Sequence, residues 1–165
     1  MNSMSRPGEE HIDYKKSLDK LLLFLERKEN AVMVLATSAD NLVMARSVLV
    51  FNDNLDLYFF TWKHSRKYGQ IKKNSRVSLC RDKVEIEGRA DILGLMNSEE
   101  NREILEFMRK KTPDAIKKWE GKSDMIIVKI KPEFACVDGY YIGDDSCLEY
   151  IDFKKQYAYR IKWGS

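Results

Sequence analysis

Apolar residues recur along this chain with two different periods, and the change between them separates a helical lead from a β-rich body. Leu18, Leu21, Leu22 and Leu25 stand three and four apart among Lys15, Lys16, Asp19, Lys20, Glu26 and Arg27, the spacing of an amphipathic helix. From Ala31 the wording becomes β-branched and apolar, broken by polar clusters, and predicts strands over residues 31–38, 43–51 and 55–61. The breaks are Asp40-Asn41 and Asn52-Asp53-Asn54. Asn and Asp tolerate left-handed backbone and bond to their own neighbours, and parallel crossovers do not fit in loops this short, so an antiparallel meander follows.

Residues 64–74 read as a short basic helix, with Ser65 as its N-cap ahead of Arg66, Lys67, Lys72 and Lys73. Strand character resumes over 76–81 and 84–93, where Val84, Ile86, Gly88, Ala90 and Ile92 alternate with Glu85, Glu87, Arg89 and Asp91. Asn97 with Glu100 marks a helix start whose apolar face is Ile104, Leu105, Phe107 and Met108, and Pro113 suits the first position of another short helix ending near Gly121. Further strands are expected over 125–130, 134–138, 148–151 and 156–163, and the first ten residues read as a flexible lead. The whole is a single domain over residues 1–165, mainly β with flanking helices (α+β). At least six antiparallel strands with inserted helices suit a small closed or partly closed barrel, and closure would remove edge strands.

Composition narrows the classes of function. With 165 residues, 44% hydrophobic and 33% charged, the chain has material for one core. Its net charge of +3 does not by itself indicate nucleic acid. The longest apolar run, Ala31 to Ala36, is far short of the roughly 20 residues that cross a bilayer, and the polar N-terminus lacks a secretory signal. A cytoplasmic location without membrane association is therefore expected. Cys80, Cys136 and Cys147 are odd in number and lack a CxxC pair, which favours reduced thiols over a disulfide framework or zinc site.

Charge matters where it clusters. Arg46, Thr61 and the Ser65-Arg66-Lys67 helix start are expected at one end of the meander. Unpaired N–H groups and the dipole at a helix N-terminus, with cations beside them, make a phosphate pocket. The same lysines and arginines also fit the solvated face of a helix, or a nucleic-acid surface.

The wording across residues 31–93 resembles the flavin-binding split-barrel family that includes pyridoxamine 5′-phosphate oxidase. The resemblance lies in Arg46-Ser47-Val48-Leu49, Leu57-Tyr58-Phe59-Phe60-Thr61, Ser65-Arg66-Lys67 with Gln70-Ile71, Asn74 to Leu79, and Val84 to Ala90, in that order. It implies an antiparallel six-stranded split barrel that binds flavin mononucleotide (FMN) at a homodimer interface. Carried over by position, Arg46, Ser65, Arg66 and Lys67 would hold the phosphate. Ser47, Val48 and Leu49 would offer backbone to the ring edge, and Phe60 and Thr61 would line the ring and ribityl side. A phosphate dianion wants about two cations plus donors, and this cluster offers three and a hydroxyl.

The implied activity is an FMN-dependent oxidoreductase passing hydride or electrons between a nicotinamide nucleotide and a small-molecule substrate or acceptor, with no nucleic-acid partner. The alternative is a non-catalytic flavin-binding or stress-related protein. Other branches match less well. Phe51 stands where the vitamin B6 oxidases have a phosphate-binding lysine, and Phe60 where the nitroimidazole-resistance branch tends to carry histidine. Neither His11 nor His64 has the context of a haem ligand. His64 reads as a surface or capping residue, Lys83 as a solvated turn lysine, and Asp144-Asp145 as a loop tip, so no metal site is expected. Tyr140, Tyr141, Tyr150, Tyr157, Tyr159 and Trp163 enrich the C-terminal third in aromatics, for packing or for stacking on a ligand.

Overall fold

Antiparallel pairing dominates the computed structural model, which describes residues 8–138 and 147–162. In chain order the elements are β1 (Glu9–Ile12), α1 (Tyr14–Glu26), β2 (Val32–Ala39), β3 (Leu42–Leu49), β4 (Phe51–Asp53), β5 (Asp56–Trp62), α2 (Arg66–Lys73), β6 (Arg76–Arg81) and β7 (Val84–Leu95). They continue with α3 (Arg102–Lys111), α4 (Pro113–Trp119), β8 (Met125–Asp138), β9 (Cys147–Asp152) and β10 (Tyr157–Lys162). Short 3₁₀ turns cover Lys28–Asn30 and Glu99–Asn101.

The sheet runs β1-β10-β9-β8-β7-β6-β2-β3, with β5 added to β8 and β4 to β5. Strand β8 explains the shape. Its long ladder to β7 occupies one edge, so β5 and β9 share the other: Met125 to Ile130 pair with β5, and Phe134 to Asp138 with β9. Strands β5, β8, β7, β6, β2 and β3 therefore curl into a barrel, while β9, β10 and β1 extend from it. Among the described residues β3 comes beside β5 without forming a ladder. The expected six-strand barrel is present inside a ten-stranded sheet, but it does not close, and β3 keeps a free edge.

Local chemistry accounts for most boundaries. Asp40 and Asn41 turn the β2–β3 hairpin at φ 52° and 61°, the pair of left-handed residues a tight hairpin needs. The next turn is Asn54-Leu55 rather than Asn52-Asp53-Asn54, because Asn52 and Asp53 form β4 and pair with Leu57 and Asp56. The segments 125–130 and 134–138 are one strand. Glu87 faces Phe134 while Gly88 faces Pro132, so Glu133 bulges out, and a proline lacking an N–H is tolerated beside a bulge. Gly88 is obligatory there, since a Cβ would lie 2.5 Å from the Lys131 carbonyl oxygen.

Two further expectations are corrected. The lead is structured from Glu9, because β1 finds its partner in β10 at the far end of the chain. Helix α3 starts at Arg102 rather than at Asn97, whose side-chain amide instead donates to the Glu120 carbonyl.

Two apolar clusters hold the layers together. Leu21, Phe24 and Leu25 of α1 join Met33, Leu35, Leu79, Ile86 and Val128 of the barrel. Leu105 and Met108 of α3 and Ile116 of α4 pack with Phe51, Tyr58, Met125 and Ile127. The second cluster fixes α3 and α4 beside the β5 end of the split.

Candidate functional site

Helix α2 begins where β5 ends. The Ser65 hydroxyl accepts a hydrogen bond from the Tyr68 N–H at 3.3 Å, as an N-cap should, and lies 3.0 Å from the Thr61 hydroxyl. Lys67 donates to Thr61 Oγ1 at 3.2 Å. The buried face of α2, Gln70 and Ile71, packs toward β2 and aims the cationic first turn at the split.

Arg46 is fixed by β2 and by Gln70 of α2. Its Nη1 donates to Thr37 Oγ1 at 2.6 Å and to the Leu35 carbonyl at 3.4 Å, and its Nη2 donates to Gln70 Oε1 at 3.2 Å. The Thr37 hydroxyl donates to the same Gln70 oxygen at 2.6 Å, while Gln70 Nε2 donates to the Leu42 carbonyl at 2.9 Å. This bracket from β2 and α2 orients the guanidinium of a β3 residue.

The electrostatics are those of a partly buried cationic cluster. Burial, and then repulsion from Arg66, lowers the Arg46 pKa. Burial, and then repulsion from Arg46, lowers that of Lys67. Among the described residues no carboxylate forms an ion pair with Arg46, Arg66 or Lys67, although Arg46 and Lys67 are partly buried.

These residues adjoin a cleft of about 780 Å³. Ser47, Val48 and Leu49 of β3 form one side, and Phe60, Thr61, Ser65 and Lys67 the base. Because among the described residues β3 pairs only with β2, its other edge offers backbone N–H and C=O groups to the cleft. Seven of the nine residues predicted from sequence thus line a single cavity. Arg46 and Arg66 do not line it, although the charge of Arg46 is felt by Lys67 and that of Arg66 by Arg46.

The opposing wall was not anticipated. Ala115, Trp119, Lys122, Ser123, Asp124 and Met125, from α4 and the turn into β8, complete the cleft together with Trp62. Asp124 pairs with Lys63 at 2.7 Å, a contact that holds its carboxyl below the usual range, and with His64 Nε2 at 3.8 Å. The available sequence signal was a pair of tryptophans in polar surroundings, Trp62 before Lys63 and Trp119 after Lys117-Lys118.

His64 is exposed, edge-on to Trp62, at the cleft rim rather than within it. Lys83 lies in the β6–β7 turn near Asp138, 3.3 Å away and outside the cleft. Phe134, Tyr150, Tyr157, Tyr159 and His11 form a stacked ladder across β8, β9, β10 and β1 and do not line the cleft. Tyr140, Tyr141, Asp144, Asp145 and Trp163 lie outside the described residues. All three cysteines are free, and burial together with Glu85 pushes the Cys136 thiol up to about 11. No helix among the described residues is long and apolar enough to cross a membrane.

An antiparallel barrel split between β3 and β5, with a cluster of cations at the split, defines a split-barrel protein. Residues 18–135, more than half of the chain, match the family model described as pyridoxamine 5′-phosphate oxidase, and the chain belongs to that family. A Listeria innocua structure provisionally named pyridoxamine 5′-phosphate oxidase is 25% identical, with 73% of this chain and 97% of that chain covered and a TM-score of 0.57. An FAD-binding protein from Mesorhizobium loti is 16% identical over 77% of this chain and 94% of its own, at 0.57. The haem-storage protein HutZ of Vibrio cholerae is 14% identical over 74% of this chain and 92% of its own, at 0.58. The last two show the shared fold alone. No curated protein matches the chain.

Proposed function

We propose that the cleft binds FMN at the interface of a homodimer and that the protein is an FMN-dependent oxidoreductase. It would pass hydride or electrons between a nicotinamide nucleotide and a small acceptor. The observation that carries the reading is the cluster of Arg46, Arg66 and Lys67 around Ser65 and Thr61, three cations with no carboxylate paired to them among the described residues. A phosphate dianion supplies the missing charge, and the Ser65 cap and first-turn N–H groups of α2 supply hydrogen bonds.

In that role Arg46, Arg66, Lys67 and Ser65 hold the phosphate, and Thr37 with Gln70 keeps Arg46 oriented. The open edge of Ser47 to Leu49 offers backbone groups to the ring, while Phe60 and Thr61 line the cavity. When bound, FMN supplies the hydride and electron chemistry, and the protein supplies position and charge.

Dimerisation is supported by the outward face of β2 and β3. Val32, Val34 and Val43 are exposed there, and register places Ser47 and Leu49, both cleft residues, on the same face. A second copy covering this face would meet the cleft.

The test compares flavin-free protein titrated with FMN and with riboflavin, which lacks the phosphate. Two charge-assisted contacts at ~1.5–3 kcal/mol each predict FMN the tighter by roughly 100-fold or more. Equal affinities, or no uptake of either, would remove the reading. If FMN binds but a nicotinamide nucleotide reduces it no faster than free FMN, the oxidoreductase assignment falls while the cofactor assignment stands.

A further inference from the structure

We propose that the wall formed by α4 and the turn into β8 seats a planar aromatic carboxylate, with Trp119 as its stacking platform and Lys122 as the residue that reads its charge. The proposal deepens the FMN reading by naming the class of second ligand for the same cleft, and it rests on that reading only for what fills the phosphate end.

Two tryptophans are left open inside one concavity. Trp62 is 57% and Trp119 37% exposed, and both line the cleft. Open indole on a convex surface is unremarked, but in a concave site it presents a large apolar face where a ligand can cover it. Trp119 is also held in place. Its ring lies 6.4 Å from Phe60 at 46°, and Lys118 Nζ is 5.3 Å from its centroid. A platform fixed in this way loses little freedom when a flat ring stacks on it.

Charge selects the substituent. Lys122 lines the same wall and forms no ion pair with a carboxylate among the described residues. Asp124, the acidic residue of that wall, is matched by Lys63 at 2.7 Å and by His64 at 3.8 Å. Of the groups lining the wall, what remains is the Lys122 ammonium and the neighbouring Ser123 hydroxyl, while Lys118 is engaged over the Trp119 ring. That set suits a monoanion, whereas a phosphate dianion wants about two cations, which only the Arg46, Arg66 and Lys67 end provides. A flat ring carrying one carboxylate is the ligand that uses both halves of the wall.

The experiment is calorimetric titration of FMN-loaded protein with 2-naphthoate and with the uncharged isostere 2-naphthamide. Wild type is expected to prefer the carboxylate by about threefold to fivefold, the worth of one partly exposed charge pair. Lys122→Gln should bring the two affinities together without weakening the amide, and Trp119→Leu should weaken both by about threefold to tenfold. Neither substitution should alter the preference for FMN over riboflavin. Lys122 is exposed, so its variant tests the proposal even if Trp119→Leu fails to fold. Equal binding of the two probes by wild type, no binding of either, or a preference that survives Lys122→Gln overturns the proposal. If FMN itself does not bind, the cofactor reading fails separately. The titration is then run on flavin-free protein carrying Arg66→Ala and Lys67→Ala, where loss of the carboxylate preference would place the anion site at the phosphate end and overturn the proposal, and its retention would support the seat.

Discussion

Replacing Lys67 by Met separates a site built for an anion from a cationic surface that happens to be there. In the flavin-free protein Lys67 gains a 3.2 Å hydrogen bond to Thr61 and suffers burial and the charge of Arg46. Losing the bond costs about 0.5–1.5 kcal/mol, while relief of like-charge repulsion returns about 0.2–1 kcal/mol and the Met side chain covers the same stem. Thr61 keeps its contact with Ser65 at 3.0 Å, so no buried hydroxyl is stranded. The net change in folding stability should lie within about 1 kcal/mol of zero. Binding of FMN should fare differently, because one charge-assisted phosphate contact disappears, worth ~1.5–3 kcal/mol or roughly a 10- to 150-fold rise in Kd. Riboflavin affinity should stay unchanged. Urea unfolding of the flavin-free protein gives the first number, and flavin fluorescence titrations give the other two. An FMN Kd that moves less than about twofold, or a loss of riboflavin binding in parallel with FMN, would refute the assignment of Lys67 to the phosphate.

Four other outcomes are expected. Because the folded-state pKa of Lys67 is lowered, the unfolded chain binds its proton more tightly; stability relative to Lys67→Met should therefore rise with pH between that folded value and the ordinary 10.5, as paired urea titrations would show. Over the same window FMN affinity should fall with pH in wild type and stay flat in the variant, since the phosphate favours the protonated amine. Gly88→Ala should destabilise by about 1–3 kcal/mol in thermal or urea unfolding, because the new Cβ meets the Lys131 carbonyl at 2.5 Å; an unchanged midpoint would mean that the bulge shifts without strain. Val34→Glu, on the exposed β2 face, should convert a dimer to a monomer in light scattering at unchanged helix and strand content, and a persistent dimer would place the interface elsewhere.

What the sequence disclosed and what it withheld divide by the range of the interaction that decides each feature. The Ser65 cap, the Asp40-Asn41 turn and the alternation of β7 are settled by neighbours a few residues away, and all three stand as read. Strand β8 was divided at Pro132 because the residue that excuses the proline, Gly88, lies on another strand. Strand β1 was passed over because Glu9 to Ile12 has no apolar pattern of its own and owes its conformation to β10. In the site, the cleft residues that came from contiguous motifs were legible. The bracket of Thr37 and Gln70 around Arg46 was not, since it joins β2, β3 and α2. Trp119 and Lys122 were equally hidden, because the packing of α3 and α4 against Phe51, Tyr58 and Met125 decides which wall they build.

The split between β3 and β5, the partly closed form of the expected barrel, is also what makes the site. A ladder between β3 and β5 would have consumed the outer N–H and C=O groups of Ser47 to Leu49 and drawn the strands together where the cleft now lies. Val50 still follows the β2 register, its N–H donating to the Ala31 carbonyl at 2.7 Å, and the chain then gives Phe51 to Asp53 to β5 as β4. The edge so exposed sits beside three cations that repel one another and beside valines that face water. Each of these would be a defect in an isolated barrel. The proposed phosphate at the α2 N-terminus and a second copy on the β2–β3 face would relieve all three, the unused edge, the unbalanced charge and the uncovered apolar surface.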